Sequence, residues 1–260
     1  MTPTKKPLDG STSERRGEVL LQPLATDEPI AVTNPACNVC GEPFETYVFE
    51  IAGRAFAPVK TCERCTIAAR VKAADEEQER VKAVRLKRFD DLCPDTYRSD
   101  AIREAMKQAV PGQMEAVREA VKGGRGVLAI GESGRFKTTT MFNAGVRWLI
   151  LNGHEVEYLT AAKFRQRASY HAKECTVETF VRSLARVPWL FLDDFGNMST
   201  TPAASEAILD LLEERMNRRN RPVLATSQFG GAELIAKFAT RQLGEAIVRR
   251  LSMLATPIQF

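Results

Sequence analysis

The sequence predicts an α/β fold: a largely parallel sheet covered by helices on both faces, with a small metal-stapled module ahead of it. Three observations carry this. Short apolar runs alternate with helical patterns from about residue 91 onward, one of these runs leads through a glycine-containing turn into a helix, and four cysteines upstream form two C-x-x-C pairs. Apolar strands that alternate with amphipathic helices build a sheet buried on both sides.

Residues 1–33 come first. They are rich in Pro, Ser, Thr and charge and lack periodic apolar positions, so they read as a disordered tail. Residues 34–65 form a compact module in which "YVFEIAG" and "RAFAPVK" read as short strands around Gly53. Within it Cys37, Cys40, Cys62 and Cys65 give the spacing C-x2-C-x21-C-x2-C. Each pair can present two thiolates to one tetrahedral ion, and the spacing is close to the four-cysteine zinc pattern. Gly41 and Thr66, not His, follow the pairs, which excludes haem attachment. Four protein ligands close the coordination sphere, so the expected Zn²⁺ is structural. Cys93 and Cys175 stand alone and read as small apolar residues.

Residues 66–90 show helical spacing through Ile67, Val71, Ala74, Val81, Val84 and Leu86, and read as a helical linker. Its second half is basic, with Arg80, Lys82, Arg85, Lys87 and Arg88; this is either a phosphate-binding stripe or a solvated face. "CPDTYRSD" breaks the helix and sets a boundary near Asp90. Residues 91–260 hold the main domain. Its strands are "GVLAIGE", "EVEYLTA", "WLFLDDF", "PVLATSQ" and "TPIQF", with helices between, such as 203–218 with Ala207, Ile208, Leu211 and Leu212 on one face. In "AAKFRQRASYHAK", Lys163, Arg165, Arg167 and Lys173 are interleaved with Phe164 and Tyr170. That mix either tracks phosphates and stacks bases, or packs its aromatics inward and solvates its charges.

A net charge of +4 tolerates an anionic partner without requiring one. No apolar run has the length of a membrane span, and "MTPTKKPLDG" has no signal-peptide segment, so a cytoplasmic location is expected.

The turn "GESGRFKTTT" comes close to the phosphate-loop pattern G-x-x-x-x-G-K-[ST]. Gly131, Lys137 and Thr138 stand in place, and Phe136 replaces the glycine before the lysine. Backbone N–H groups from Gly131, Glu132, Ser133, Gly134, Arg135 and Phe136 through Lys137, Thr138 and Thr139 are the expected cradle. Lys137 would neutralise the β and γ phosphates, and the Thr138 hydroxyl would hold Mg²⁺. A side chain at position 136 resists the positive φ that glycine adopts, at about 1–2 kcal/mol. "WLFLDDF" ends in Asp193 and Asp194. One carboxylate at such a strand end can complete the Mg²⁺ shell while its neighbour polarises the attacking water.

With these residues in hand, the stretch from Phe89 to Phe260 resembles the DnaC/IstB-like AAA+ ATPases, the helicase loaders and transposition helpers. "GESGRFKT" looks like Walker A, "LFLDDFG" like the Asp-Asp Walker B of this group, "PVLATSQ" like the sensor-1 strand, and "GEAIVRRL" like the arginine-finger region. The resemblance implies a three-layer P-loop AAA+ ATPase core without a C-terminal helical lid. It implies that Asp193 organises Mg²⁺, that Asp194 is the catalytic base, and that Gln228 takes the sensor-1 place usually held by Asn. Arg250, with Arg249 as the alternative, would complete a neighbour's site and so imply self-association. It also places the adenine end near "CPDTYRSD" and gives the N-terminal region the task of gripping the partner. The implied work is loading or remodelling a replicative helicase on single-stranded DNA with ATP. A transposition helper and a nucleotide-binding adaptor with little turnover are the alternatives, since Phe136 and Gln228 both depart from the family pattern.

Overall fold

The computed structural model describes residues 31–51, 54–56, 60–197, 201–219 and 221–260. The chain divides into two compact units between Glu76 and Glu77. The tail expected over residues 1–33 lies outside the described residues as far as residue 30. Ala31–Thr33 instead form strand β1.

In the first unit, β1 pairs antiparallel with β2 (Thr46–Ile51), which pairs antiparallel with β3 (Arg54–Phe56). These are the two short strands that the sequence places between the cysteine pairs; the turn at Gly53 lies outside the described residues. Helix α1 (Glu63–Leu92) starts at the second cysteine pair and crosses into the second unit. The unit boundary therefore falls inside the helix, upstream of Asp90. The reason is packing: Phe89 is buried in the core of the second unit, and Arg85 donates to the Leu151 carbonyl at 2.7 Å.

The second unit holds a five-stranded parallel sheet in the order β5-β6-β7-β4-β8. The strands are β4 (Gly126–Ile130), β5 (Val156–Thr160), β6 (Trp189–Asp193), β7 (Val223–Ser227) and β8 (Ala255–Gln259). Each matches one of the five apolar runs in the sequence. Side chains alternate across the sheet, as the two-residue strand period requires. On one face Leu190, Leu192, Val223 and Ala225 pack with α6 (Ala161–Lys173), α7 (Val177–Arg186), α8 (Pro202–Asn217) and α10 (Arg241–Leu254). On the other, Val127, Ala129, Phe191 and Leu224 pack with α3 (Pro111–Lys122) and the helix after β4. That helix runs as α4 (Lys137–Thr140), a π-helical segment Met141–Val146, and α5 (Arg147–Leu151). Two short helices, α2 (Asp100–Ala109) and α9 (Gly231–Ile235), complete the three layers. Ser99, Thr160, Thr201 and Thr240 cap α2, α6, α8 and α10 through side-chain oxygens, which satisfy N–H groups that the helices cannot.

Strand register sets up the site. Thr160 lies opposite Asp193, Leu192 opposite Ala225, and Ile130 opposite both Ser227 and Gln259. The C-terminal ends of β4, β6 and β7 therefore lie side by side, where ligands bind in open parallel sheets. Among the described residues no helix is long and apolar enough to cross a membrane.

Candidate nucleotide site and four-cysteine cluster

A cavity of about 430 Å³ opens at these strand ends, lined by Ser133 to Thr139, Asp193, Asp194, Thr226, Gln228 and Tyr97. The turn after β4 has Gly134 at φ +80° and Phe136 at φ 58°, ψ 15°. Phe136 thus stands in the left-handed conformation reserved for glycine, as the departure from the motif requires. No side chain caps α4. Its first-turn N–H groups have no intrahelical acceptors and face the cavity end of the helix, which is the arrangement that receives an anion. Gly131 is needed for a different reason. It lies outside the cavity lining, and a Cβ there would stand 2.6 Å from the Phe260 carbonyl oxygen, so close approach of the chain's last residue demands glycine. Glu132 also lies outside the lining, and it pairs with Arg135, which is part of the lining, at 3.2 Å.

Lys137 is buried, and its Nζ donates to the Glu132 carbonyl at 2.6 Å. Burial pulls its pKa below the ordinary lysine range, while Asp194 and Asp193 pull the other way. An ammonium desolvated in this way gains from an anion placed beside it. Thr138 Oγ1 donates to Asp193 Oδ1 at 2.8 Å, which brings together the two oxygens expected to hold Mg²⁺ across 55 residues of sequence. A hydroxyl and a carboxylate are the hard donors this ion takes, so the pair fits it.

Two partners of Asp193 have no motif to mark them in the sequence. Thr226 Oγ1 donates to Oδ1 at 2.6 Å, and the Tyr158 hydroxyl donates to Oδ2 at 3.1 Å. Burial, with the Asp193 charge beside it, pushes the Tyr158 hydroxyl well above the ordinary tyrosine range and keeps it a donor. Thr226 does carry one signal: it is a hydroxyl next to the last residue of a fully buried strand whose first three residues are apolar. Its Oγ1 also accepts from the Asp194 N–H at 2.9 Å. Asp194 is itself left-handed at φ 61°, and Asn197 Nδ2 donates to its Oδ2 at 2.8 Å. Gln228 is exposed on the cavity wall. Tyr97, from the segment "CPDTYRSD", lines the same cavity and stacks on Phe142 at 5.6 Å.

The C-terminal arginines separate. Arg250 forms an ion pair with Glu213 of α8 and donates to the Ala246 carbonyl at 3.1 Å. Arg249 is exposed and has no ion-pair partner among the described residues. The basic stripe of α1 is partly spent on local pairs, Arg80 with Glu77 at 2.7 Å and Lys82 with Glu79 at 3.2 Å. On α6, Phe164 is buried, Tyr170 is exposed, Arg165 bonds the Asn197 carbonyl, and Arg167 pairs with Glu157 at 3.4 Å.

In the first unit, the sulfurs of Cys37, Cys40, Cys62 and Cys65 all lie within 4.8 Å of one another. A tetrahedral zinc with bonds of about 2.3 Å holds its thiolates about 3.8 Å apart. Cys40 Sγ and Cys62 Sγ stand 3.7 Å apart, so the cluster fits. The N–H groups of Cys40, Cys62 and Val39 hold the Cys37 thiol down at about 6, as a thiolate ligand needs. Hydrogen bonds with the Cys62 and Cys40 thiols push Cys65 up to about 12.

With this geometry in place, a family model described as IstB-like ATP binding protein matches residues 113–259. The chain belongs to that family. Its second unit is therefore an ATP-binding AAA+ domain, preceded by a zinc-ribbon-like four-cysteine cluster. Similar solved structures include AMPPCP-bound DnaA from Aquifex aeolicus, at 19% identity and TM-score 0.49, covering 58% of this chain and 46% of that one. A DnaC helicase loader is 18% identical at TM-score 0.49, covering 67% of this chain and 99% of that one. A putative primosome component from Streptococcus pyogenes serotype M3 is 19% identical at TM-score 0.46, covering 65% and 89%. The chain thus spans less than half of the DnaA structure. No curated protein matches it in sequence.

Proposed function

We propose that the chain binds and hydrolyses ATP and uses the cycle to load or remodel a replicative helicase on DNA. The observation that carries the nucleotide chemistry is the meeting of Lys137, Thr138, Asp193 and Thr226 at the strand ends. In this reading the N–H groups of the turn and of the first turn of α4 bind the phosphates, and Lys137 leaves the Glu132 carbonyl to pair with them. Thr138 and Asp193 hold Mg²⁺, which supplies charge neutralisation on the transferring phosphoryl group. Asp194, oriented by Asn197 and Thr226, accepts the proton of the attacking water. Gln228 reaches toward the terminal phosphate from the cavity wall. Arg249 of an adjacent copy, rather than Arg250, supplies the finger, because Arg250 is held by Glu213 within its own chain. The four cysteines hold one Zn²⁺ and stiffen a partner-gripping module.

Phosphate release by the purified chain, alone and with single-stranded DNA or a replicative helicase, tests this. Stimulation by helicase supports loading; no stimulation by any helicase, with turnover raised by a transposase, turns the reading to a transposition helper. The family match gives ATP binding, which both readings share. Absence of turnover under every condition would leave a nucleotide-binding adaptor.

A further inference from the structure

A second cleft, of about 530 Å³, lies at the opposite end of the same sheet, where the strands begin. Trp189 opens β6, Gly124 precedes β4, and Pro222 precedes β7, so the cleft is separated from the ATP site by the length of the strands. Its size falls in the range of small-ligand sites. Three rings furnish it. Trp148 is half-buried and stacks on the exposed His154 at 6.1 Å and 25°, and His154 meets Trp189 edge-on at 6.4 Å.

Cations surround these rings. Lys122 and Arg218 also line the cleft, but each is already paired, with Glu119 at 2.7 Å and Glu214 at 3.3 Å. Arg219 and Arg221 have no ion-pair partner among the described residues, and Arg221 Nη1 is buried there without a hydrogen bond. Arg219 sits at φ 63°, a left-handed conformation that a long side chain adopts at a cost. Uncompensated guanidinium groups beside the exposed His154 ring, itself backed by Trp148, suit alternating phosphates and splayed bases. Duplex nucleic acid keeps its bases stacked within, and a peptide of Asp and Glu alone has no ring to offer.

We propose that this cleft binds single-stranded nucleic acid, with a base stacked on His154, which Trp148 backs, and phosphates on Arg219 and Arg221. The inference stands independently of helicase loading. Trp148 and Trp189 are the only two tryptophans in the chain, so intrinsic tryptophan fluorescence reports on this cleft alone. The test titrates the full chain, without ATP, with an oligothymidylate of about 12 nucleotides. Saturable quenching is expected that weakens with salt and is absent with poly-glutamate. Arg219→Glu should weaken it about fivefold or more and lower the salt slope by about 0.7 for each phosphate that is no longer neutralised. His154→Ala should weaken binding while leaving that slope in place. Uptake of a labelled ATP analogue serves as the folding control for both variants. Oligonucleotide binding that leaves the fluorescence unchanged, equal quenching by poly-glutamate, or wild-type affinity in folded Arg219→Glu would each overturn the proposal.

Discussion

Phe136 gives the sharpest test of the loop geometry. Phe136→Gly and Phe136→Ala remove the same phenyl ring from a half-buried position, so the loss of its burial is common to both. They differ only in whether a Cβ remains at φ 58°. That Cβ costs about 1–2 kcal/mol in the left-handed region. Glycine returns about 0.5–1 kcal/mol of this through its freer unfolded chain. The difference leaves the glycine variant about 0.5–1 kcal/mol more stable than the alanine variant. For a domain of this size that is roughly 1–4 °C in Tm. Thermal unfolding followed by circular dichroism reads it directly, with urea unfolding as a second measure. An alanine variant that melts at or above the glycine variant would refute a left-handed residue 136. The same pair should order in nucleotide affinity, glycine tighter, since glycine lets the backbone reach the phosphates.

Three further outcomes follow from the same geometry. Thr226→Val keeps the shape of the side chain but removes the bond to Asp193 and leaves the Asp194 N–H without its acceptor; it should cost about 1–3 kcal/mol of stability and slow phosphate release more than it weakens ATP binding. Arg249→Ala should leave the melting temperature unchanged and cut phosphate release by about 10³-fold, whereas Arg250→Ala should cost about 0.2–1 kcal/mol through its half-exposed pair with Glu213 and spare more of the turnover; the reverse ordering contradicts the assignment. Elemental analysis should find one zinc per chain, absent from Cys65→Ser, with ATP uptake by the second unit retained.

The three central strands β4, β6 and β7 are legible in the sequence because each is a nearly continuous apolar run, which a sheet covered on both faces requires, whereas the edge strands β5 and β8 mix apolar with polar residues and are marked by their place between helical patterns. The phosphate loop and the two terminal aspartates are legible because their chemistry is local in sequence. What escapes is chemistry assembled across the fold. Thr226 and Tyr158 acquire their meaning only when parallel register sets them beside Asp193. Arg250 matches a motif, but the sequence carries no sign that α8 places Glu213 against it. Turn-forming residues in "CPDTYRSD" stop α1 and suggest a unit boundary there, yet the packing of Phe89 assigns the last turns of that helix to the second unit. Gly131 reads as a phosphate-loop glycine, and its immediate constraint is the carbonyl of Phe260. The cleft of Trp148, His154 and Trp189 joins residues that lie near different strands, so no local pattern announces it.

Equilibrium dialysis of the zinc-loaded chain against labelled ATP with magnesium tests the central claim, that a turn carrying Phe136 in the glycine slot cradles a triphosphate. The result predicted is one saturable site per chain, abolished by Lys137→Ala. No saturable uptake, or unchanged uptake in that variant, would contradict it.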